Sequence, residues 1–363
     1  MKSFLKITLL TLTVFLVTDF ILGNLIYKKL IKKRVQQTDT SFALRDKVFD
    51  HKFKPSSKSF VNWGERSYFI CTDLNGFRVT CDARTGSEKK FDIVFLGDSF
   101  TEPVGIEYKN SFVFLFSKKN SDLKVANLAI SSYSPSIYYS KINFLLNKGY
   151  KFKNVALFLD QSDIVDDVLC YELKKNIVQR KKTYTKCFEN KNKVEKPFEN
   201  FFSDNFKMTN ELIKNTSLKN KLNKIPENVI NNSRASWTYD YNESNFNGLE
   251  YEQSLNIILD NMYRLSSLLK RNKINLHVFV YPWPGTLAND KRVNKHSVIW
   301  ESFCKSNCKS FFNLNNIFFE KNDKIGFEKT YKNYYIKNDV HFNEEGHSLI
   351  AEFMIKNFKI NKN

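Results

Sequence analysis

Short apolar runs separated by longer stretches of mixed polarity predict most of the secondary structure of this chain. Almost continuous aliphatic or aromatic runs are typical of strands buried on both faces, and they occur at residues 92–96, 125–130, 155–159, 276–281 and 310–314. Residues 111–119 predict a helix, and helical spacing predicts another along the stripe Leu255, Ile258, Met262, Leu265 and Leu269. Strands that alternate with helices are typical of a parallel sheet with right-handed crossovers. We therefore predict an α/β fold in three layers, α/β/α, around a parallel sheet of about five strands.

The most apolar stretch of the sequence, residues 7–27, is interrupted only by threonines, Asp19 and Asn24. As a helix with a rise of ~1.5 Å per residue it would be about 30 Å long, which is the thickness of a bilayer core. We expect residues 1–34 to form an uncleaved, single-pass membrane anchor. A cleaved signal peptide is the alternative, although no small-x-small cleavage site follows the apolar stretch directly.

The charges beside this stretch and the cysteines disagree about which side of the membrane the rest of the chain occupies. Four lysines and one arginine lie within residues 28–34, and only Lys2 and Lys6 precede the apolar stretch, so the positive-inside rule favours the cytoplasm. The cysteines fall in near pairs, Cys71 with Cys81, Cys170 with Cys187 and Cys304 with Cys308, which is typical of disulfides in an oxidising compartment. Zinc is the competing interpretation, but no Cys-x-x-Cys pair and no histidine at ligand spacing support it. We favour export.

The polar residues 35–67 are predicted to be a linker with a short strand region, and the main domain is predicted to span residues 68–363. Residues 171–249, rich in lysine and asparagine, form an insertion between the third and fourth predicted strands. They are either an irregular surface excursion or a lid, in which Trp237, Tyr239 and Tyr241 stack on sugar rings or cover an acyl group.

The chain is strongly basic, with 57 Lys and Arg against 38 Asp and Glu, a formal net charge of +19. The basic residues are scattered along the whole length, without an RNA-binding aromatic signature, zinc-finger spacing or a long basic arm. We therefore expect no nucleic-acid partner. Anionic membranes or acidic glycans are the simpler partners for such a surface.

Two separated motifs carry candidate chemistry. Gly97-Asp98-Ser99 directly follows a predicted buried strand, the place at which α/β sheets expose a reactive side chain. The alternative is a glycine turn in which Ser99 caps a helix. Near the other end of the chain, Asp339 precedes His341 by two residues, so both side chains point to the same side of an extended backbone. Asp339 can then bind Nδ1 of His341 and leave Nε2 free to accept a proton from Ser99; alternatively, Asp339 caps the last helix and His341 is a surface residue.

With these motifs, the chain resembles the SGNH (GDSL-type) hydrolase superfamily, in particular membrane-anchored bacterial members found with polysaccharide acylation systems, such as alginate-type O-acetyltransferases. The resemblance covers roughly residues 70–170 and 250–360. The matching segments are GFR (76–78), FLGDSFTEPVGIE (95–107), NLAISSYSPSIYY (127–139), FLDQSDIVDD (158–167), VYPWP (280–284) and DVHFNEEGH (339–347). The resemblance implies a flavodoxin-like fold and a serine hydrolase or O-acetyltransferase whose catalytic residues are Ser99, His341 and Asp339.

The same resemblance implies an acylated, and specifically acetylated, carbohydrate or other small ester as the partner, and neither a metal nor an organic cofactor. It places the chain in the bacterial inner membrane, with the catalytic domain periplasmic or extracellular. Trp283, at the end of the fourth strand, is expected to wall the acyl pocket, and Trp237 to contact substrate. His347 is the alternative base, and His51 and His296 have no assigned partners.

Three positions depart from the family pattern. Ser132 occupies the place of a glycine whose backbone N–H binds the oxyanion, and Ser162 occupies the place of an asparagine donor. Many esterases have the carboxylate three residues before the histidine, where this chain has Asn338. These departures leave two further hypotheses open: a catalytically degenerate glycan-binding or assembly protein with the same fold, and a basic adaptor at the membrane surface.

Overall fold

The computed structural model describes residues 2–22, 41–83, 86–184, 205–206, 209, 225–239, 250–290, 292 and 294–360. The chain divides into two compact units, one made of Met1–Asp39 and Asn190–Ile225, the other of Thr40–Glu189 and Pro226–Asn363. The first unit contains helix α1 (Lys2–Thr18). Most of α1 lies in an apolar helical stretch of 19 residues, Phe4–Leu22. Signal sequences and membrane anchors share this length and apolarity. Residues 23–34 of the predicted anchor lie outside the described residues.

The second unit is built on a mixed, largely parallel sheet of eight strands in the order β12-β11-β8-β6-β7-β5-β4-β3. Strands β6, β7, β8, β11 and β12 are parallel, and β5, β4 and β3 extend the sheet in antiparallel fashion. Two separate antiparallel pairs, β1–β2 and β9–β10, complete the described strands. The strands are β1 (Ala43–Asp46), β2 (Asp50–Phe53), β3 (Lys58–Trp63), β4 (Arg66–Thr72), β5 (Arg78–Val79), β6 (Lys90–Leu96), β7 (Val125–Asn127), β8 (Lys151–Leu159), β9 (Tyr171–Lys174), β10 (Ile177–Arg180), β11 (Asn275–Val280) and β12 (Ser310–Asn313).

The prediction of an α/β fold with a parallel sheet is confirmed in its main part, since each of the five predicted strands exists. The strand predicted at 125–130 ends earlier, at Asn127. The sheet is mixed because residues 35–67, predicted as a linker, supply β3 and the start of β4. In strand β3 only Ser59 and Val61 are buried. Its apolar pattern is therefore too short to be recognised in the sequence.

Helices cover both faces of the sheet. The helices of this unit are α2 (Phe112–Lys119), α3 (Pro135–Asn147), α4 (Asp163–Val165), α5 (Glu227–Ile230), α6 (Tyr251–Arg271), α7 (Pro284–Asn289), α8 (Lys295–Asn307), α9 (Asn315–Ile325), α10 (Phe327–Tyr334) and α11 (Glu344–Asn357). On one face, aliphatic side chains of the parallel strands pack against α3 and α6 in the main core cluster. On the other, a row of aromatic rings crosses four neighbouring strands and meets α2, with successive centroid distances of 6.2, 4.5 and 4.7 Å along Phe95, Phe158, Phe279 and Phe312.

Part of the predicted insertion is packed into this unit. In residues 226–239, Val229 and Trp237 are buried. A Cβ added at Gly285 of α7 would lie 2.2 Å from the carbonyl oxygen of Ile230, so the two backbones are in direct contact and only glycine fits. This segment is therefore part of the domain rather than an exposed excursion. Tyr241 lies outside the described residues.

The described cysteines are oxidised. Cys71 is bonded to Cys81, and Cys304 to Cys308. Cys170 is also in a disulfide, and its predicted partner Cys187 lies outside the described residues.

Candidate active site

Ser99 lies in a tight turn just beyond the carboxyl end of β6. A Cβ at Gly97 would lie 2.4 Å from Oγ1 of Thr101 and 3.1 Å from the carbonyl oxygen of Phe158, so a glycine is required at the start of this turn. The turn is closed by Asp98, whose Oδ1 accepts from the N–H of Phe100 at 3.1 Å and whose carbonyl accepts from the N–H of Glu102 at 2.9 Å. The fold therefore presents the Ser99 hydroxyl at the carboxyl edge of the sheet, as parallel α/β sheets do at their ligand sites.

His341 lies in the connection between α10 and α11, held by backbone contacts. Its carbonyl accepts from the N–H of Ile336 at 2.8 Å, and Tyr335 and Phe342 form an antiparallel bridge. The turn between them needs a left-handed residue, and Asn338 takes that conformation with φ +61°. Asn338 is thus a turn residue here, while the carboxylate beside the imidazole comes from Asp339.

The structure brings three predicted residues together. His341 Nε2 lies 2.8 Å from Ser99 Oγ, and His341 Nδ1 lies 2.5 Å from Asp339 Oδ1. The same carboxylate oxygen accepts from the backbone N–H of His341 at 2.9 Å. Two aromatic rings pack against the imidazole, Phe100 at 4.6 Å and Trp63 edge-on at 5.4 Å between centroids. Hydrogen bonds therefore run without a break from a carboxylate through an imidazole to a hydroxyl.

The charges of this group are set by its partners. Burial works against a charged imidazole, but the Asp339 carboxylate outweighs it and raises the pKa of His341 above its ordinary value. In turn, despite burial, His341 holds the pKa of Asp339 well below its usual range. Burial lowers the pKa of His347 to about 3, and His341 adds to that effect. Its Nδ1 accepts from the N–H of Phe112 at the start of α2, so His347 is a neutral packing residue rather than the alternative base.

Asp98 belongs to a buried group of three carboxyls with Asp160 and Asp163, in which one oxygen of each lies within 4.8 Å of the others. Burial and the nearby Asp160 raise the pKa of Asp98 to about 8, and burial and both neighbours raise the pKa of Asp163 as well. Carboxyls with raised pKa values share protons at neutral pH. These three carboxyls therefore form one buried acidic group that includes a residue of the Ser99 turn.

The two predicted oxyanion donors, Ser132 and Ser162, differ in whether their hydrogen-bond donors are already engaged. Ser132 has φ +62°, in the left-handed region that favours glycine, which is the residue expected at this position. Among the residues the structure describes, the backbone N–H groups of Ser99 and Ser132 donate no hydrogen bond. Ser162, in contrast, gives both its N–H (2.7 Å) and its hydroxyl (2.6 Å) to Asp160 Oδ1, so neither is available to substrate as the prediction requires.

The two predicted substrate-binding tryptophans are buried. Trp283 donates its indole N–H to Asp160 Oδ2 at 2.7 Å and packs 5.9 Å from Phe100, beside the Ser99 turn. Trp237 is only 4% exposed and donates its N–H to the carbonyl of Gln161 at 2.8 Å. A ring enclosed in this way cannot stack on a sugar, so the structure contradicts that role for Trp237.

Two residues of the site were given no role from the sequence. Trp63 Nε1 donates to Asp339 Oδ2 at 2.9 Å, although it lies in the predicted linker. Glu102 is buried and its Oε2 accepts from both the N–H and the hydroxyl of Ser131, each at 2.6 Å. Glu102 lies within the matched segment around Ser99, and its position there was the only available signal.

These contacts define an α/β protein in which a hydrogen-bonded serine, histidine and aspartate lie at the carboxyl edge of a largely parallel sheet. No protein-family model and no curated protein matches the chain. Among solved structures, the chain is similar to a lipolytic protein of the G-D-S-L family from Veillonella parvula DSM 2008 (12% identity, 73% of this chain, 97% of that chain, TM-score 0.40). It is also similar to Axe2, an acetylxylan esterase from Geobacillus stearothermophilus (11% identity, 77% of this chain, 99% of that chain, TM-score 0.37).

Proposed function

We propose that this protein is a serine acyl-ester hydrolase or O-acyltransferase of the SGNH (GDSL) type. The observation that carries the proposal is the 2.8 Å contact between Ser99 Oγ and His341 Nε2, with Asp339 on the other ring nitrogen. An imidazole oriented in this way can remove the hydroxyl proton as the oxygen attacks a carbonyl.

The reaction proceeds through an acyl-enzyme. Ser99 Oγ attacks the ester carbonyl, and its proton passes to His341 Nε2 while Asp339 stabilises the positive imidazolium. The backbone N–H groups of Ser99 and Ser132 bind the oxyanion of the tetrahedral intermediate. His341 then gives the proton to the departing alcohol, which leaves an acyl group on Ser99. Water attacks this ester in a hydrolase, and a sugar hydroxyl attacks it in a transferase.

Asp98 influences which way the Ser99 hydroxyl points, because its Oδ2 lies 3.0 Å from Ser99 Oγ. An ionised Asp98 would accept the hydroxyl proton and compete with His341 for it. In the structure the Ser99 hydroxyl donates to Asp98 Oδ2. Burial and the nearby Asp160 raise the pKa of Asp98 to about 8, which favours its neutral form and weakens this competition, so that the hydroxyl can turn to His341 Nε2.

The substrate we propose is an acetylated glycan, reached from the outer side of the bacterial inner membrane. The net charge of +19 supports an acidic polymer or surface, and the apolar helix Phe4–Leu22 supports a membrane anchor. The disulfides Cys71–Cys81 and Cys304–Cys308 support an oxidising compartment.

The experiment is an acetyl-release and acetyl-transfer assay with the full chain in detergent. An aryl acetate serves as donor, with and without an oligosaccharide acceptor, and Ser99→Ala is the control. Free acetate alone indicates a hydrolase and acetylated sugar a transferase. If neither forms above the Ser99→Ala background, the proposed activity is wrong.

One observation favours a second candidate, a non-catalytic glycan-binding or assembly protein. Ser162 commits both of its donors to Asp160, so the side-chain donor that the family supplies at this position is missing. Loss of one oxyanion donor costs about 10²–10³ in rate. Binding to a purified acidic polysaccharide that is equal in wild type and Ser99→Ala, together with no acetyl release, is the result this candidate predicts.

A further inference from the structure

A second aspartate–histidine pair lies beside the candidate oxyanion site, on strand β2. His51 Nδ1 lies 2.9 Å from Asp50 Oδ2, and His51 Nε2 lies 2.8 Å from the backbone carbonyl oxygen of Ser131. The imidazole also packs edge-on against Tyr133 at 4.9 Å, and the Tyr133 hydroxyl donates to the carbonyl of His51 at 2.7 Å. The ring is thus fixed from three sides.

Both contacts of the ring are to hydrogen-bond acceptors. A backbone carbonyl can only accept, and Asp50 is an acceptor because it is ionised: it receives two hydrogen bonds from Arg180, at 2.9 and 3.0 Å, and a contact from Arg45. Although burial opposes it, the bonds from His51 and Arg180 lower the pKa of Asp50 to about 2. Asp50 therefore orients the ring, and Nε2 is the nitrogen that faces the Ser131 carbonyl oxygen.

The carbonyl that His51 binds belongs to the peptide group that carries the N–H of Ser132. In a trans peptide the C=O and N–H point in opposite directions, so holding the Ser131 oxygen toward His51 aims the Ser132 N–H away from it. Glu102 fixes the preceding N–H and hydroxyl of Ser131 and belongs to the turn that carries Ser99. A donor at the carbonyl also polarises the peptide and strengthens its N–H as a donor.

This clamp offsets a conformational cost. With φ +62°, Ser132 is in a region that is unfavourable for a non-glycine residue, and such residues persist only where surrounding contacts hold them. Glu102 holds the N–H and hydroxyl of Ser131, and His51 holds the carbonyl of the peptide that follows it.

We propose that His51, oriented by Asp50, is a positioning residue for the oxyanion site: its Nε2–H fixes the Ser131–Ser132 peptide so that the Ser132 N–H faces the reacting carbonyl. This role rests on the proposed serine esterase or acyltransferase chemistry. It assigns a task to a histidine that does not touch Ser99, His341 or Asp339.

The test compares two substitutions that each preserve one of the two contacts. His51→Asn places an amide near the position of Nδ1, which keeps a partner for Asp50 and loses the donor to Ser131. His51→Gln reaches toward the position of Nε2, which keeps the donor to Ser131 and loses the partner for Asp50. We expect H51N to lower kcat with an aryl acetate by roughly 10- to 100-fold with little change in KM, which is less than removal of an oxyanion donor itself costs. The kcat of H51Q is expected to be about tenfold higher than that of H51N.

Thermal unfolding of both variants separates this role from a purely structural one, since loss of either contact destabilises the fold. If kcat follows stability in both variants, or H51N keeps the wild-type kcat, the positioning role is overturned. A wild type without acetyl-release activity defeats the proposed function instead. If H51N does not fold, H51Q alone decides: a kcat within about tenfold of wild type supports the proposal, and a loss as large as that for removal of an oxyanion donor, about 10²–10³, refutes it.

Discussion

The indole N–H of Trp63 donates a 2.9 Å hydrogen bond to Oδ2 of Asp339, a residue 276 positions later in the chain. Trp63 ends the outermost strand of the sheet, β3, and its ring meets the His341 imidazole at an angle of 90°. The outermost strand therefore fixes the Asp339 carboxylate, which in turn orients the His341 imidazole. A segment that looks like a linker in the sequence is part of the candidate active site.

Trp63→Phe should lower the activity while the domain stays folded. Phenylalanine keeps most of the packing against His341 but leaves Asp339 Oδ2 without its donor. A hydrogen bond to a charged group contributes about 1.5 kcal/mol, which corresponds to roughly tenfold in kcat. The measurement is kcat with an aryl acetate, and Trp300→Phe, at a buried tryptophan of the core cluster, is the control. Equal kcat values in both variants would contradict this function of the indole.

The activity should depend on the deprotonation of His341. Because Asp339 raises the pKa of His341, kcat/KM should increase with pH through a value above the ordinary histidine pKa of about 6.5. Asp339→Asn removes the charge that raises this pKa. The acid limb should then move to lower pH, and kcat should fall by roughly 10⁴-fold because the tautomer is no longer fixed. An acid limb that does not move in this variant argues against His341 as the base.

Ser132→Gly should leave the fold at least as stable as the wild type. Its φ of +62° suits glycine, and the change removes about 1 kcal/mol of backbone strain, although glycine also adds entropy to the unfolded chain. The backbone N–H is retained, so kcat should stay within a fewfold of wild type. Urea unfolding and aryl acetate kinetics measure both effects. Lys175→Gly, at φ +48° in the β9–β10 turn, is the control for the backbone effect alone; a large loss of stability in S132G but not in K175G would show that the serine side chain has a structural task.

The disulfides should differ in their contribution to stability according to the loops they close. Cys71–Cys81 closes a separation of 10 residues and Cys304–Cys308 one of 4. The loop-entropy relation gives about 2.7 kcal/mol for the first and about 1.9 kcal/mol for the second. Paired Cys→Ala variants compared by urea unfolding measure the difference. A greater loss from removing the shorter loop would mean that packing, not loop entropy, dominates.

The sequence was sufficient for the parts of the molecule in which a local pattern determines the structure. Residues 93–96 are continuously apolar, and the structure has them in β6, buried in the centre of the sheet. The Asp339-x-His341 spacing implies two side chains on one side of an extended backbone, and the structure has them hydrogen-bonded. The catalytic roles of these residues and of Ser99 remain predictions.

Features that depend on distant contacts could not be predicted. Ser162 has the right place in the chain for a donor, but its hydroxyl turns to Asp160, whose other carboxylate oxygen accepts from the distant Trp283. Trp237 reads as an exposed aromatic in a lysine-rich insertion, yet it is buried against the domain. His51 lies in a polar segment, and only the fold brings it to the carbonyl of Ser131.

The most direct measurement is labelling of the full chain with a fluorophosphonate, followed by mass mapping of the adduct. The reagent reacts with serine hydroxyls that a neighbouring base activates, so it reports on the contact between Ser99 Oγ and His341 Nε2. We predict one adduct, on Ser99, which is absent from Ser99→Ala and strongly reduced in His341→Ala. A folded wild-type protein that stays unlabelled, or an adduct on another residue that persists in Ser99→Ala, would contradict the proposed activity.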